Sequence, residues 1–193
     1  MMSENFAKSI IKTVPQWVKS CEIINGELMI TVYSDAIVPV CNFLKHHMGT
    51  RCSQLIDITA VDYPDRENRF TVVYNLLSVD LNSRIRLKTE VDGLTSIESV
   101  TALYPCAAWW EREVWDMFGI FFTNHPDLRR ILTDYGFQGH PLRKDFPVTG
   151  YTEVRYDETE KRVMYEPLEL SQEFRSFDFA SPWESLDKST KLS

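Results

Sequence analysis

Residues 109–147 constrain this chain more than any other part of it. They are denser in aromatic side chains, paired charges and turn residues than the rest of the sequence. Apolar periodicity predicts a helix over residues 107–118, which Gly119 closes. A chain of 193 residues has little interior in which to bury so many large side chains. We therefore expect part of this stretch to contact something outside its own domain.

The predicted helix has one apolar face and one acidic face. The apolar set, typical of core packing, is Trp110, Val114, Met117 and Phe118, with Trp109 beside it. The acidic set, typical of a solvated or ion-paired surface, is Glu111, Glu113 and Asp116, with Arg112 among them.

A catalytic interpretation of the same helix stays open. Glu113 and Asp116 are spaced i, i+3, and His125 follows shortly after the turn at Gly119. Carboxylates and one histidine could hold a hard divalent cation or carry out general acid–base chemistry. The alternative function is therefore a free-standing metal-dependent enzyme that uses these three residues.

Before this stretch the sequence predicts an α+β domain over residues 1–122, a two-layer sandwich of a mixed or antiparallel sheet with helices on one side. Helices are expected over residues 4–14, 35–48 and 96–103, and Asn25-Gly26 predicts a hairpin turn. Strands are expected over residues 52–61, 69–79 and 83–91. The first two lack clean alternation, which indicates central strands, and the third alternates apolar with charged residues, which indicates an edge strand.

After residue 122 the sequence changes character. Proline or glycine recurs every few residues, which excludes long helices and strands. Aromatic residues and arginines are nevertheless too frequent for a free linker, and a turn-rich segment of this composition is typical of a peptide that docks on a partner. We predict an extended, turn-rich C-terminal arm over residues 123–184 and a flexible tail over 185–193.

Composition excludes several classes of function. The formal net charge of −7 offers no basic excess for phosphates, so nucleic acid is not an expected partner. No apolar run approaches the roughly 20 residues needed to span a bilayer, and the first twenty residues lack a secretory h-region. Cys21, Cys41, Cys52 and Cys106 are too far apart for the close pairs of zinc or iron–sulfur ligation, and we expect each to be a buried apolar residue.

The run of residues 111–132, EREVWDMFGIFFTNHPDLRRIL, resembles the signature of the thirty-kilodalton subunit of respiratory complex I, the proton-pumping NADH:ubiquinone oxidoreductase. The segments DYGFQGHPLRKDFPVTGYTEVRYD and EFRSFDFASPWE also resemble mitochondrial and related bacterial members of that family. The resemblance is strongest over residues 107–184 and weak before residue 50.

The resemblance implies a non-redox core subunit of the hydrophilic arm, needed for assembly and for positioning the quinone-site (forty-nine-kilodalton type) subunit during NADH-to-quinone electron transfer. It implies no catalytic residue, metal or cofactor on this chain, since FMN, iron–sulfur clusters, NADH and ubiquinone belong to other subunits. The expected location is the matrix side of the mitochondrial inner membrane, or the cytoplasmic side of the plasma membrane in a bacterium, with membrane association only through the complex. Because Trp and Arg dominate interface energies, the expected interface residues are Trp109, Arg129, Arg130, Tyr135, Phe137, His140, Arg143, Lys144, Phe146, Tyr151 and Arg155.

Overall fold

The computed structural model describes residues 4–177 and 190–192. The elements are α1 (Glu4–Thr13), β1 (Val18–Ile24), β2 (Glu27–Val32), α2 (Ile37–His46), β3 (Gln54–Asp62), β4 (Phe70–Ser78), β5 (Ser83–Val91), β6 (Ile97–Glu98), α3 (Ala107–Phe118), β7 (Phe122–Thr123), β8 (Thr152–Asp157), β9 (Arg162–Pro167) and β10 (Thr190–Leu192). In the described residues, no helix combines the length and the apolar character that crossing a membrane requires.

A mixed sheet forms the centre of the domain, with strand order β10-β1-β2-β5-β4-β3. Strands β2 and β5 pair in parallel, and every other neighbouring pair in this sheet is antiparallel. Ile30, Leu87, Tyr74 and Ile58 lie opposite one another across four strands and are at most 2% exposed. This row is the middle of the core.

Helices cover one face of the sheet. Ala7 of α1, Leu44 of α2 and Val114 of α3 join the same buried cluster as the inward-facing strand residues. The other face carries a polar row in which Asn75 donates to Asp57 at 2.7 Å and accepts from Arg86 at 2.9 Å. The predicted α+β class and the sandwich of sheet and helices are thus confirmed.

Two predictions about strand position are wrong. Strand β5 lies inside the sheet, between β2 and β4, and β3 lies at its edge. The alternation in β5 arises because one whole face of the sheet lacks helices, so even an interior strand carries polar residues on that side.

Local signals predicted most turns and helix ends correctly. Asn25 and Gly26 both adopt positive φ, 52° and 82°, in the predicted hairpin turn, and Gly119 ends α3 at φ 76°. The helix predicted over residues 35–48 ends at His46, because His47 is already extended, so Gly49 does not cap it.

The helix predicted over residues 96–103 is wrong. Ile97–Glu98 forms β6, which pairs in parallel with β7. The following residues turn, because the Ser99 hydroxyl and the Val100 amide both donate to the buried carboxylate of Glu111.

The C-terminal region contains an element that the sequence analysis missed, an antiparallel hairpin of β8 and β9. Thr190–Leu192, within the segment predicted as a tail, pairs with β1 at the sheet edge. The predictions for residues 178–189, the end of the arm and the start of the tail, lie outside the described residues.

Candidate functional site at the junction of helix α3 and the arm

Asp116 anchors the arm to α3. Its fully buried carboxylate accepts backbone N–H bonds from Ile131, Leu132 and Thr133 at 3.2, 2.8 and 2.9 Å. The Thr133 hydroxyl donates at 2.7 Å and Arg130 Nη1 at 2.9 Å. Burial raises the pKa of this carboxyl, but the donors from residues 131–133 outweigh burial and lower it to about 2. Asp116 is therefore an ionised, saturated acceptor.

Residues 140–146, which we name the strap, cross the C-terminal end of α3. Leu142 N–H donates to Met117 O at 3.1 Å, and Arg143 Nε donates to Phe118 O at 2.6 Å. His140 Nδ1 lies 3.0 Å from Asp116 O. These contacts satisfy carbonyls that the end of a helix leaves without intrahelical partners, and a cation at this end suits the helix dipole.

A second anchor ties the strap to the sheet. Lys144 N–H donates to Asp62 Oδ2 at 2.7 Å. Arg69 bridges Asp62 at 2.7 Å and Asp145 at 2.9 Å. The hydrogen bond from Arg69 lowers the pKa of Asp62 despite its burial. The strap is thereby held at two points far apart in the sequence.

Aromatic rings continue the strap toward the hairpin. The Phe146 ring packs against Phe137 and Tyr151, with centroid separations of 5.9 and 5.4 Å. The Arg130 guanidinium lies 5.8 Å from the Phe137 centroid. Arg130 thus links the Asp116 anchor to this aromatic cluster.

Glu111 forms a separate buried site on α3. Its carboxylate accepts from Ser99 Oγ at 2.6 Å and from Val100 N–H at 2.8 Å. Burial raises its pKa to about 7, although the two hydrogen bonds oppose that shift. His125 Nε2 lies 3.8 Å from the carboxylate and 3.1 Å from Ala108 O. Because His125 Nδ1 accepts the N–H of Asp127, Nε2 carries the ring hydrogen.

Glu113, Asp116 and His125 do not form the metal site of the alternative interpretation. Asp116 is saturated by the arm, and His125 faces Glu111 and Ala108. Among residues 4–177 and 190–192, no three or more His, Cys, Asp or Glu side chains lie in positions to share a metal ion. The acidic face, predicted to be solvated or ion-paired, is not solvated at Glu111 or Asp116, which are fully buried, while Asp116 is ion-paired with Arg130.

The β8–β9 hairpin exposes its apolar side. Val154 pairs with Tyr165 and Tyr156 with Val163, so these four side chains share one face. Each of them is 54–57% exposed. The opposite face carries the ion pair of Arg155 with Glu166 at 2.7 Å. An isolated two-stranded hairpin is only marginally stable in water. An exposed apolar face such as this one is typical of a surface that binds a partner.

The structure divides the eleven predicted interface residues into two groups. The inward group bonds or packs within the chain and comprises Arg130, Phe137, His140, Arg143, Phe146 and, through its backbone amide, Lys144. The outward group comprises Trp109, Arg129, Tyr135, Tyr151 and Arg155; Tyr135 is 99% exposed and Trp109 67%. The outward group is the more exposed part of the set, although Tyr151 also packs against Phe146.

Sequence reasoning missed the anchors Asp62, Arg69 and Thr133 and the apolar face of the hairpin. Alternation in TEVRYD and RVMYEP, around a polar turn, could have revealed the hairpin. Cys106 also differs from its prediction, because it is exposed at the start of α3, whereas Cys21, Cys41 and Cys52 are buried as expected.

Comparison with known proteins gives consistent matches. A family model described as "Respiratory-chain NADH dehydrogenase, 30 Kd subunit" matches residues 30–152. The chain is 62% identical to NADH-ubiquinone oxidoreductase subunit 9 of Prototheca wickerhamii, over 99% of this chain and 100% of that protein. It is 58% identical to NADH dehydrogenase [ubiquinone] iron-sulfur protein 3 of Marchantia polymorpha, over 98% and 97%.

A solved structure also matches. A chain in the structure of the membrane-bound sulfane sulfur reductase, an archaeal respiratory membrane complex, superimposes with a TM-score of 0.62 at 28% identity. The match covers 75% of this chain and 85% of that chain.

Proposed function

This chain belongs to the family of 30 Kd subunits of respiratory-chain NADH dehydrogenase, and from that premise we propose that it is a non-redox subunit of proton-pumping NADH:ubiquinone oxidoreductase. In this proposal it lies in the hydrophilic arm, on the matrix side of the mitochondrial inner membrane. It docks on the quinone-site subunit and holds cofactor-bearing neighbours in electron-transfer geometry.

The exposed apolar face of the hairpin carries the proposal. Val154, Tyr156, Val163 and Tyr165 are more than half exposed, yet the arm that bears them is attached to α3 and the sheet through Asp116 and Asp62. A pre-positioned apolar face loses little conformational freedom on binding. The arrangement suits a subunit whose task is to fix the position of a neighbour.

The cysteines support a role without a redox centre on this chain. Iron–sulfur clusters need several thiolates around one site. Among residues 4–177 and 190–192, no three or more His, Cys, Asp or Glu side chains are grouped so that they could hold a metal ion. Burial raises the pKa of Cys41 and Cys52 to about 12, so neither thiol readily becomes a thiolate ligand.

The test removes one ring from the hairpin face. Tyr156→Ser should lower the amount of this chain in the assembled complex roughly tenfold, the loss of one buried aromatic anchor at an interface. Tyr33→Ser is the matched control, because Tyr33 is also 54% exposed but lies before α2. The measurement is native electrophoresis of a mild detergent extract, with detection of this chain and of NADH dehydrogenase activity.

The outcomes separate the two functions. Co-migration of the unaltered chain with a large NADH-oxidising complex, lost in Tyr156→Ser and kept in Tyr33→Ser, supports docking. Migration of the unaltered chain near its own 22.5 kDa would contradict the subunit role. Equal assembly of both variants would contradict docking through the hairpin.

A further inference from the structure

A groove of about 540 Å³ lies between the hairpin and the turn that precedes the strap. The turn of residues 134–138 forms one wall, and Phe146, Tyr151 and Tyr165 contribute to the rest. Tyr165 also belongs to the apolar face of the hairpin, so the groove and that face form one continuous surface.

The groove presents aromatic rings that are largely exposed, although Tyr151 also packs edge-on against Phe146. Tyr135 is 99% exposed, Tyr151 62% and Tyr165 57%. Phe137 and Phe146 are half-buried and pack against each other at the base. Such rings attract apolar groups and also cations, which favour the negative face of the π-system.

One charged side chain, that of Asp134, lines the groove. Its carboxylate accepts the N–H of Tyr135 at 2.8 Å and the hydroxyl of Tyr165. These bonds, that of Tyr165 first, lower the pKa of Asp134. A carboxylate has about four acceptor positions, so two remain for a ligand. Residues 148–177, which follow the strap, carry seven acidic and four basic residues.

We propose that this groove binds an extended segment of a neighbouring subunit that carries an arginine or lysine next to an apolar residue. The cationic group bonds to Asp134 and stacks on Tyr135 and Tyr165, while the apolar residue contacts Phe137 and Phe146. The inference rests on the proposed docking function and specifies the chemistry of the partner segment. Charge decides between partners, because an acidic segment would meet both Asp134 and the acidic excess of residues 148–177.

The arrangement of Arg130 illustrates the same recognition within the chain. Its guanidinium binds the Asp116 carboxylate at 2.9 Å and lies 5.8 Å from the Phe137 centroid. Within this chain, one cation thus already binds a carboxylate and lies against an aromatic ring at the same time. The groove repeats that combination with Asp134 and exposed tyrosines.

Photo-cross-linking in the assembled complex tests the proposal directly. A photoreactive phenylalanine such as p-benzoylphenylalanine replaces Tyr135, whose near-complete exposure means that the chain itself does not require the native side chain there. Mass spectrometry then identifies the linked peptide. We expect a peptide of another subunit with Lys or Arg beside an apolar residue. Linkage only within this chain, linkage to a segment without a basic residue, or no linkage would overturn the proposal.

Charge removal provides the second test. Asp134→Asn retains an acceptor but loses the charge, and Asp65→Asn makes the same change at an exposed residue of the β3–β4 loop. We expect Asp134→Asn to increase release of this chain from the complex by KCl roughly threefold, since an exposed ion pair contributes little to binding. Equal release of both variants would contradict a cationic ligand at Asp134.

Failure of the groove is distinguishable from failure of docking. If the unaltered chain co-migrates with the complex and Tyr156→Ser does not, docking stands whatever the probe at Tyr135 links to. If Tyr156→Ser also assembles normally, the hairpin is not the docking surface. Only when docking through the hairpin stands can the groove proposal fail on its own.

Discussion

Removal of the Asp116 carboxylate should loosen the start of the arm while leaving the sheet intact. In Asp116→Ala, three backbone N–H groups of residues 131–133 lose their acceptor, and the partly exposed Arg130 loses its ion pair. These donors can regain hydrogen bonds only by reaching water. Because Asp62 and the end of α3 still hold residues 142–144, we expect local opening around residues 130–133 rather than global unfolding.

The magnitude follows from the carboxylate's environment. The folded pKa of about 2 lies below the ordinary 3.8, so ionised Asp116 stabilises the fold by about 2 kcal/mol. That contribution is complete above roughly pH 4 and is lost as pH falls through 2. Truncation also leaves the three N–H donors of residues 131–133 without their acceptor, which brings the expected loss of local stability to about 3–5 kcal/mol.

Hydrogen exchange of the purified full chain is the appropriate assay. Amides of residues 131–133 should exchange on the order of a hundredfold faster in Asp116→Ala, as about 3 kcal/mol requires. Asp127→Ala is the control, because Asp127 pairs with Arg129 at the surface and its loss should change stability by less than about 0.5 kcal/mol. Unchanged protection of residues 131–133 in Asp116→Ala would refute the anchor.

Two further changes test the contacts on α3. Gly119→Ala places a methyl group 2.5 Å from Arg143 Nη2 and 2.6 Å from His140, whereas Gly136→Ala, at nearly the same φ, meets nothing within 4 Å. Thermal unfolding should show that Gly136→Ala lowers the free energy of unfolding by about 1 kcal/mol, and that Gly119→Ala lowers it by about 2 kcal/mol more. Glu111→Gln should flatten the dependence of stability on pH measured by urea unfolding. Because the pKa of Glu111 is raised to about 7, the free energy of unfolding of the unaltered chain should fall by up to roughly 3 kcal/mol as pH rises from about 4.5 to 7. The same fall with pH in Glu111→Gln would contradict this.

Local features of the sequence predicted most of the longer helices and strands before residue 122 but not the order of the strands. The Asn25-Gly26 turn and the end of α3 at Gly119 depend on residues next to each other, and both were correct. The interior position of β5 depends on its parallel pairing with β2, some fifty residues earlier. Alternation of apolar and polar residues indicates which face of a strand is exposed to solvent. It carries no information on how many strands pair with that strand.

The two buried carboxylates show a second limit. Helical periodicity placed Glu111 and Asp116 opposite the apolar face, and a charged residue on such a face is usually solvated. Their burial depends on donors supplied by other segments: Ser99 and Val100 for Glu111, and residues 131–133 for Asp116. The spacing of carboxylates within one helix cannot show these donors.

The same density of aromatics and arginines that suggested a docking arm has two different physical causes. Arg143 binds the end of α3 and His140 Nδ1 lies 3.0 Å from Asp116 O, so changes there would reach a partner only by displacing the arm. Tyr135 and Tyr156 are exposed, so changes there would act through lost contact and leave the free chain's stability nearly unaltered. Composition alone assigns both kinds of residue to an interface. Only a comparison of free-chain stability with assembly separates the residues that shape the docking surface from those that touch the partner.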